Sequence, residues 1–132
     1  MNVVAAILLY QKKILCFKRG YSQNNLVSNK YEFPGGKVEK NESFKKALRR
    51  ELKEELNLEV NKLNFFFKND FSYPNFKVNL RFYISELTDL NFELKEHSEY
   101  SILQVNHLRS LEWLSADYPV IEYIEKSSNC FL

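Results

Sequence analysis

Glycine is scarce in this chain, with three among 132 residues, where average usage near 7% would give about nine. Proline is equally scarce, at three. Yet Pro34, Gly35 and Gly36 stand side by side, so a specific backbone shape is expected there. Cysteine is limited to Cys16 and Cys130, too few for a disulfide framework and spaced for no zinc motif, which leads us to expect a reduced, cytoplasmic protein. Long apolar runs are missing as well. Residues 3–9 form the longest early one, too short to span a bilayer, and no basic leader or small-residue cleavage site marks a signal peptide. Neither sign of charge dominates: 19 basic residues nearly match 17 acidic ones, leaving +2. That balance argues against a nucleic-acid groove. No stable nucleic-acid partner and no membrane partner are expected.

What is present suits a folded domain. The chain is 45% hydrophobic and 27% charged, neither disordered nor membrane-spanning in composition. One domain over residues 1–132 is expected. Residues 2–10 and 13–19 read as two hairpin strands around a polar pair, followed by a polar loop over 20–30. Residues 31–33 read as extended, held out of helix by the following proline. Residues 43–56 read as a helix, rich in strong helix formers and free of Gly and Pro. Strands are expected at 60–70 and 76–86 around a Pro74-Asn75 turn. An acidic loop at 93–99, a strand at 101–105 and a closing helix at 118–126 complete the chain. This order predicts an α/β sandwich, a mixed sheet between helices.

The helix at 43–56 carries charge where a surface helix would not. At roughly 100° per residue from Phe44, Leu48, Leu52 and Leu56 fall between roughly 40° and 120°. Glu51 and Glu55 lie near 340° and 20°, beside that stripe, with Glu54 near 280°. Ion pairs spaced i, i+4 account for Glu42 with Lys46 and Arg50 with Glu54. They do not account for Glu51 and Glu55, a like-charge i, i+4 pair that calls for a cation. Two readings stand at this point, a solvated acidic face or oxygen ligands for a hard divalent cation.

The stretch from Gly36 to Leu58 resembles the Nudix box: a Gly, five residues, Glu42, seven residues, then Arg50-Glu51-Leu52-Lys53-Glu54-Glu55, any residue (Leu56), a Gly and an apolar residue (Leu58). The one departure is Asn57 in place of the late Gly, and Asn is the next most tolerant residue in the left-handed conformation expected there. Tyr31-Glu-Phe-Pro-Gly-Gly-Lys37 and Ala116-Asp117-Tyr-Pro-Val-Ile121 are similar to the MutT-type branch of that family.

The resemblance implies hydrolysis of a nucleoside triphosphate to a monophosphate and pyrophosphate, with Mg²⁺ (or Mn²⁺ substituting) as cofactor. It implies Glu51, Glu54 and Glu55 as metal-binding and catalytic carboxylates, a metal contribution from the Gly36 carbonyl, and Arg50 orienting the glutamates. Glu42 is assigned to structure near the helix start. Glu96 is a further candidate for metal binding or catalysis, and His97 is expected at the surface. Arg19 and Lys37 are candidates for phosphate contact, Lys18 and Lys30 for ordinary surface charge. Asp117 has two readings, a helix N-cap or a reader of the base edge, where an ionised Asp only accepts hydrogen bonds. Phe76 and Tyr73 are candidates for base stacking, and Phe65, Phe66 and Phe67 for core packing. The substrate suggested is an oxidised guanine nucleotide such as 8-oxo-dGTP, with CTP or a modified dCTP as the alternative. A nucleotide-sensing module that does not cleave is the rival from another class. A small nucleotide is the expected partner, taken by a monomer or homodimer.

Overall fold

The computed structural model describes residues 1–127, with the side chain of Tyr73 excepted. Cys130 and the stacking role considered for Tyr73 therefore lie outside the described residues.

The first strand decides the architecture. β1 (Asn2–Tyr10) is buried on both faces, as its run of Val, Ala, Ile and Leu demands. Val4, Ala6 and Leu8 join one core cluster while Ala5 and Ile7 join the other, the period-2 alternation of a strand between two layers. A two-residue turn, Gln11-Lys12, leads into β2 (Lys13–Lys18), with Leu9 opposite Ile14 and Tyr10 opposite Lys13. Both turn residues have positive φ, 50° and 66°, the twist a tight hairpin needs.

β3 (Tyr31–Glu32) pairs with β2, and β4 (Gly35–Lys37) pairs with β1. β4 was not foreseen as a strand. Its pairing sets Gly35 against Ala5 and Gly36 against Val4, and a Cβ on Gly35 would lie 2.0 Å from the Val4 carbonyl oxygen. The scarce glycine is needed for that close approach.

α1 (Phe44–Leu56) starts at Ser43, whose side chain accepts from the Lys46 N–H at 3.1 Å, a cap worth about 1 kcal/mol. It ends at Asn57, left-handed at φ 49° and ψ 41°, with the Leu58 N–H reaching back to the Leu52 carbonyl at 3.2 Å. The expected tolerance of Asn at this cap is what the backbone shows. Ala47, Leu48, Leu52 and Leu56 are fully buried against the even residues of β1; each leucine contributes roughly 1.5–3 kcal/mol.

β5 (Asn64–Tyr73) and β6 (Phe76–Glu86) form the second hairpin, and β6 runs parallel to β1. β5 begins later than the expected residue 60, because Arg49 draws the carbonyls of Val60 and Asn61 and Val60 and Leu63 bury under α1. β7 (Glu99–Leu103) begins earlier than expected, since Glu99 and Tyr100 already pair with Lys18 and Phe17. Two unforeseen 3-10 turns, Val105–Ser110 and Ser115–Asp117, precede α2 (Tyr118–Lys126). α2 buries Val120, Ile121 and Ile124 on the face opposite α1. The mixed sheet, ordered β3-β2-β1-β6-β5 with β4 beside β1 and β7 beside β2, lies between two helices. The expected sandwich is the observed fold.

Candidate active site

The acids on α1 and just ahead of it meet different surroundings. Arg50 gathers most of them. Its Nε and Nη2 donate to the two Glu42 oxygens at 2.9 and 3.1 Å, and Nη1 donates to Glu51 at 3.0 Å and Glu54 at 3.4 Å. Nη2 also reaches the Lys37 carbonyl at 3.0 Å, tying the helix to β4. The Arg50 hydrogen bonds, with one from the Glu39 N–H, hold the Glu42 carboxyl down at about 2. Glu42 thus turns to Arg50 and not to Lys46, the i, i+4 partner expected of it, and its structural reading gains a specific form.

Glu55 has no such partner. It is buried at the end of the leucine stripe, and its Oε2 touches no hydrogen-bonding atom. Burial first, then a hydrogen-bonding contact with the Glu51 carboxyl and the charges of Glu32, Glu51 and Glu96, push its pKa up to about 9. A raised pKa at Glu55 eases the repulsion that two bare carboxylates on neighbouring turns would feel. Glu96 comes near because its loop is tied at both sides. The Lys95 N–H bonds the Glu55 carbonyl at 3.0 Å, and the Ser98 N–H bonds the Lys18 carbonyl at 2.9 Å.

These groups line a cavity of about 690 Å³, with Gly35, Gly36, Glu51, Glu54, Glu55 and Glu96 toward α1, a volume suited to a nucleotide-sized ligand. Its other wall holds Val3, Ala5, Phe33, Leu80, Leu114, Ala116 and Asp117, with Arg19, Gly20, Tyr21 and Ser22 from the loop after β2. Glu32 and His97 lie between the two walls. The His97 Nε2–H donates to Glu32 Oε2 at 2.8 Å, and Arg19 Nη1 stands 3.6 Å from Glu32 Oε1.

Asp117 departs from the cap that one of its two readings expects. It occupies the N-cap position of α2 but makes no side-chain cap hydrogen bond. The carboxyl is instead buried against the cavity and accepts from the Phe33 N–H. Burial, reinforced by the charge of Glu32, pushes its pKa well above the ordinary range.

Of the sequence candidates, Arg19, Gly36, Glu51, Glu54, Glu55, Glu96 and Asp117 come together around the cavity, with Arg50 behind them. Lys37 does not line it: its side chain is exposed, and strand alternation sends it to the face away from Gly36. Phe76 stands exposed where β6 begins and is also absent from the lining. His97 is buried and not at the surface, because Glu32 takes its Nε2 and Phe17 packs on its ring at 5.4 Å. Phe65 is exposed at an outer strand, not core, whereas Phe66 and Phe67 pack against Tyr123. Lys18 and Lys30 pair with Glu99 and Glu112 at 3.5 and 3.6 Å, the surface role expected of them. Glu32 was missed. The signal available was an acid in the short extended stretch just ahead of Pro34.

The donor set fits a hard divalent cation. It is all oxygen, it includes an orphaned buried carboxylate atom, and a Cβ on Gly36 would lie 2.5 Å from the Glu51 carboxylate. Among the described residues no three His, Cys, Asp or Glu side chains are gathered tightly enough to hold an ion unaided. A small hydrated cation such as Mg²⁺ does not require that, since one or two carboxylates plus substrate phosphates suffice.

The model of the NUDIX domain matches residues 1–124. An 8-oxo-dGTP diphosphatase of Buchnera aphidicola (from Acyrthosiphon pisum) is 35% identical over 120 residues, covering 91% of this chain and 94% of the relative. A CTP pyrophosphohydrolase of Escherichia coli K12 is 29% identical over 124 residues, covering 92% and 89%. The crystal structure of a MutT protein from Methanosarcina mazei superposes with a TM-score of 0.80 at 24% identity, covering 96% of this chain and 94% of the other. At that identity the likeness speaks for the fold alone.

Proposed function

The chain belongs to the NUDIX domain family, and within it we propose a Mg²⁺-dependent nucleoside triphosphate pyrophosphohydrolase that yields a monophosphate and pyrophosphate. The observation that carries this reading is the placement of Glu55. A buried carboxyl facing Glu51, Glu32 and Glu96, its Oε2 without a hydrogen-bond partner among the described residues, is poised for a divalent ion. Bound there, Mg²⁺ or Mn²⁺ would offset the phosphate charge and make a water more acidic. Glu51, Glu54, Glu55 and Glu96 would hold it, with the Gly36 carbonyl. Arg50 keeps Glu51 and Glu54 in place, and Arg19 meets phosphate at the mouth. One of the carboxylates takes the proton of the attacking water.

Asp117, across the cavity, would read the base. A carboxyl held protonated by its burial would offer one donor and one acceptor, a pair that suits the edge of an oxidised guanine. The cytosine edge also pairs a donor with an acceptor, and we favour 8-oxo-dGTP on the Buchnera relative's name, with removal of oxidised nucleotides before they enter DNA. The E. coli relative's name supports a second reading, CTP or a modified dCTP. The enzyme so proposed is one domain over residues 1–132, cytoplasmic, monomeric or homodimeric, and free of nucleic acid or membrane. No helix among the described residues is long and apolar enough to cross a membrane.

The test is pyrophosphate release from a nucleotide panel containing 8-oxo-dGTP, dGTP, CTP and 5-substituted dCTP, with Mg²⁺ and with chelator. Release that needs the ion is expected, highest for 8-oxo-dGTP. No release from any triphosphate would favour the sensing module instead.

A further inference from the structure

His97, buried, and Glu32, half-buried, form a hydrogen-bonded couple, and the histidine has no part in the roles assigned so far. The imidazole side chain is 2% exposed. Its ring rests on Phe17, which in turn packs on Phe92 and Tyr100, so it has little freedom to turn. Of its two nitrogens, Nε2 donates to Glu32 and Nδ1 has no hydrogen-bond partner among the described residues. A buried imidazole nitrogen is costly to leave unpaired, and here one hydrogen bond, to Glu32, fixes the ring. The contact joins residues from β3 and from the loop before β7, elements brought together only because both flank β2.

Glu32 divides its oxygens. Oε2 accepts from His97, while Oε1 faces Arg19 at 3.6 Å. Arg19 is half exposed at the cavity mouth, on a long side chain with many rotamers. A carboxylate fixed from behind gives that guanidinium one preferred place, and pre-placing it lowers the entropy lost when an anion binds. We propose that His97 is a positioning residue, holding Glu32 so that Glu32 orients Arg19 toward the phosphates of a nucleotide. The inference rests on the nucleotide reading of the cavity. It assigns His97 and Glu32 to substrate affinity, apart from the carboxylates of α1 that carry the chemistry.

Two substitutions separate positioning from packing. In His97→Gln the side-chain amide offers an N–H near the place of Nε2; in His97→Leu the volume remains and the donor is lost. Each would be measured by KM and kcat on the panel substrate used best. Calorimetric Kd for a non-hydrolysable α,β-methylene dGTP with Mg²⁺ provides a readout independent of turnover. His97→Leu should raise KM and Kd roughly tenfold, the scale of a lost hydrogen bond to a charged group, with kcat within about twofold of wild type. His97→Gln should stay within roughly threefold of wild type in both. In an Arg19→Met background His97→Leu should add less than about twofold, because the interaction it supports is gone.

Equal behaviour of the Gln and Leu variants would overturn the inference, as would a full His97→Leu effect without Arg19. A fall in kcat alone with unchanged Kd would also overturn it. Wild type that binds the analogue but hydrolyses nothing would sink the enzymatic reading and leave the inference to be scored on Kd. Wild type that does not bind the analogue would overturn both.

Discussion

Glu42 and Glu55 stand at opposite ends of α1 and have opposite fates. Glu42 faces Arg50 through two hydrogen bonds and is held down at about 2. Glu55 faces other carboxylates from inside the fold and rises to about 9. The first has its counter-ion built into the chain; the second does not. The difference teaches which part of the cluster is architecture and which awaits something from outside. Arg50 spans the boundary, since its Nη1 reaches Glu51, the neighbour of Glu55.

Removing the unpaired charge should have the largest effect on turnover. Glu55→Gln is expected to lower kcat by about a thousandfold, on the order of 4 kcal/mol of transition-state stabilisation. Folding should survive and even improve, because a buried carboxyl without a cation is a burden on the native state. Turnover within tenfold of wild type would remove Glu55 from the mechanism. Arg50→Met breaks the comparison from the other side. It frees Glu42, Glu51 and Glu54 together, so kcat should fall by about a hundredfold, and the melting temperature should fall too. A loss of activity with unchanged melting would mean that Arg50 acts on substrate and not on the carboxylates.

The two glutamates also predict opposite pH limbs. Glu42, depressed from 4.5 to about 2, contributes stability present above pH 4.5 and lost as the pH falls toward 2. Glu55, raised from 4.5 to about 9, works in reverse. The native state holds the extra proton between those values, so stability declines as pH rises through that window. Melting curves at pH 6 and pH 8.5 should show a drop for the ion-free wild type. The drop should be much smaller for Glu55→Gln, and smaller with Mg²⁺ present. Equal drops in both proteins would show that other groups set the alkaline limb. The smallest effect expected is that of Asp117→Asn. It should shift the ratio of kcat/KM for 8-oxo-dGTP over CTP by roughly tenfold, about one hydrogen bond's worth, leaving the best kcat within a few fold. An unmoved ratio would take Asp117 out of base recognition.

Legibility in the sequence followed the range of each interaction. The gathering of Glu51, Glu54 and Glu55 at one helix edge could be placed because helix periodicity is local, the hold of Arg50 on them only through the resemblance to the Nudix box, and Asn57 because a cap is decided within one turn. Glu32 and His97 could not, since their bond joins positions 65 residues apart and depends on strand pairing. Lys37 was drawn toward the site by its nearness to Gly36, but in a strand the adjacent residue faces the other way. Asp117 keeps two readings in the sequence because cap and cavity wall use the same position, and only the folded chain shows that it lines the cavity and makes no cap hydrogen bond.

The central claim is that Glu55 exchanges a proton for a divalent cation. Calorimetric titration of Mg²⁺ into the protein with α,β-methylene dGTP at pH 7.5, in buffers of different ionisation enthalpy, counts protons released. Wild type should release close to one proton per binding event, and Glu55→Gln none. Equal ion affinity with no proton release from either protein would contradict the account.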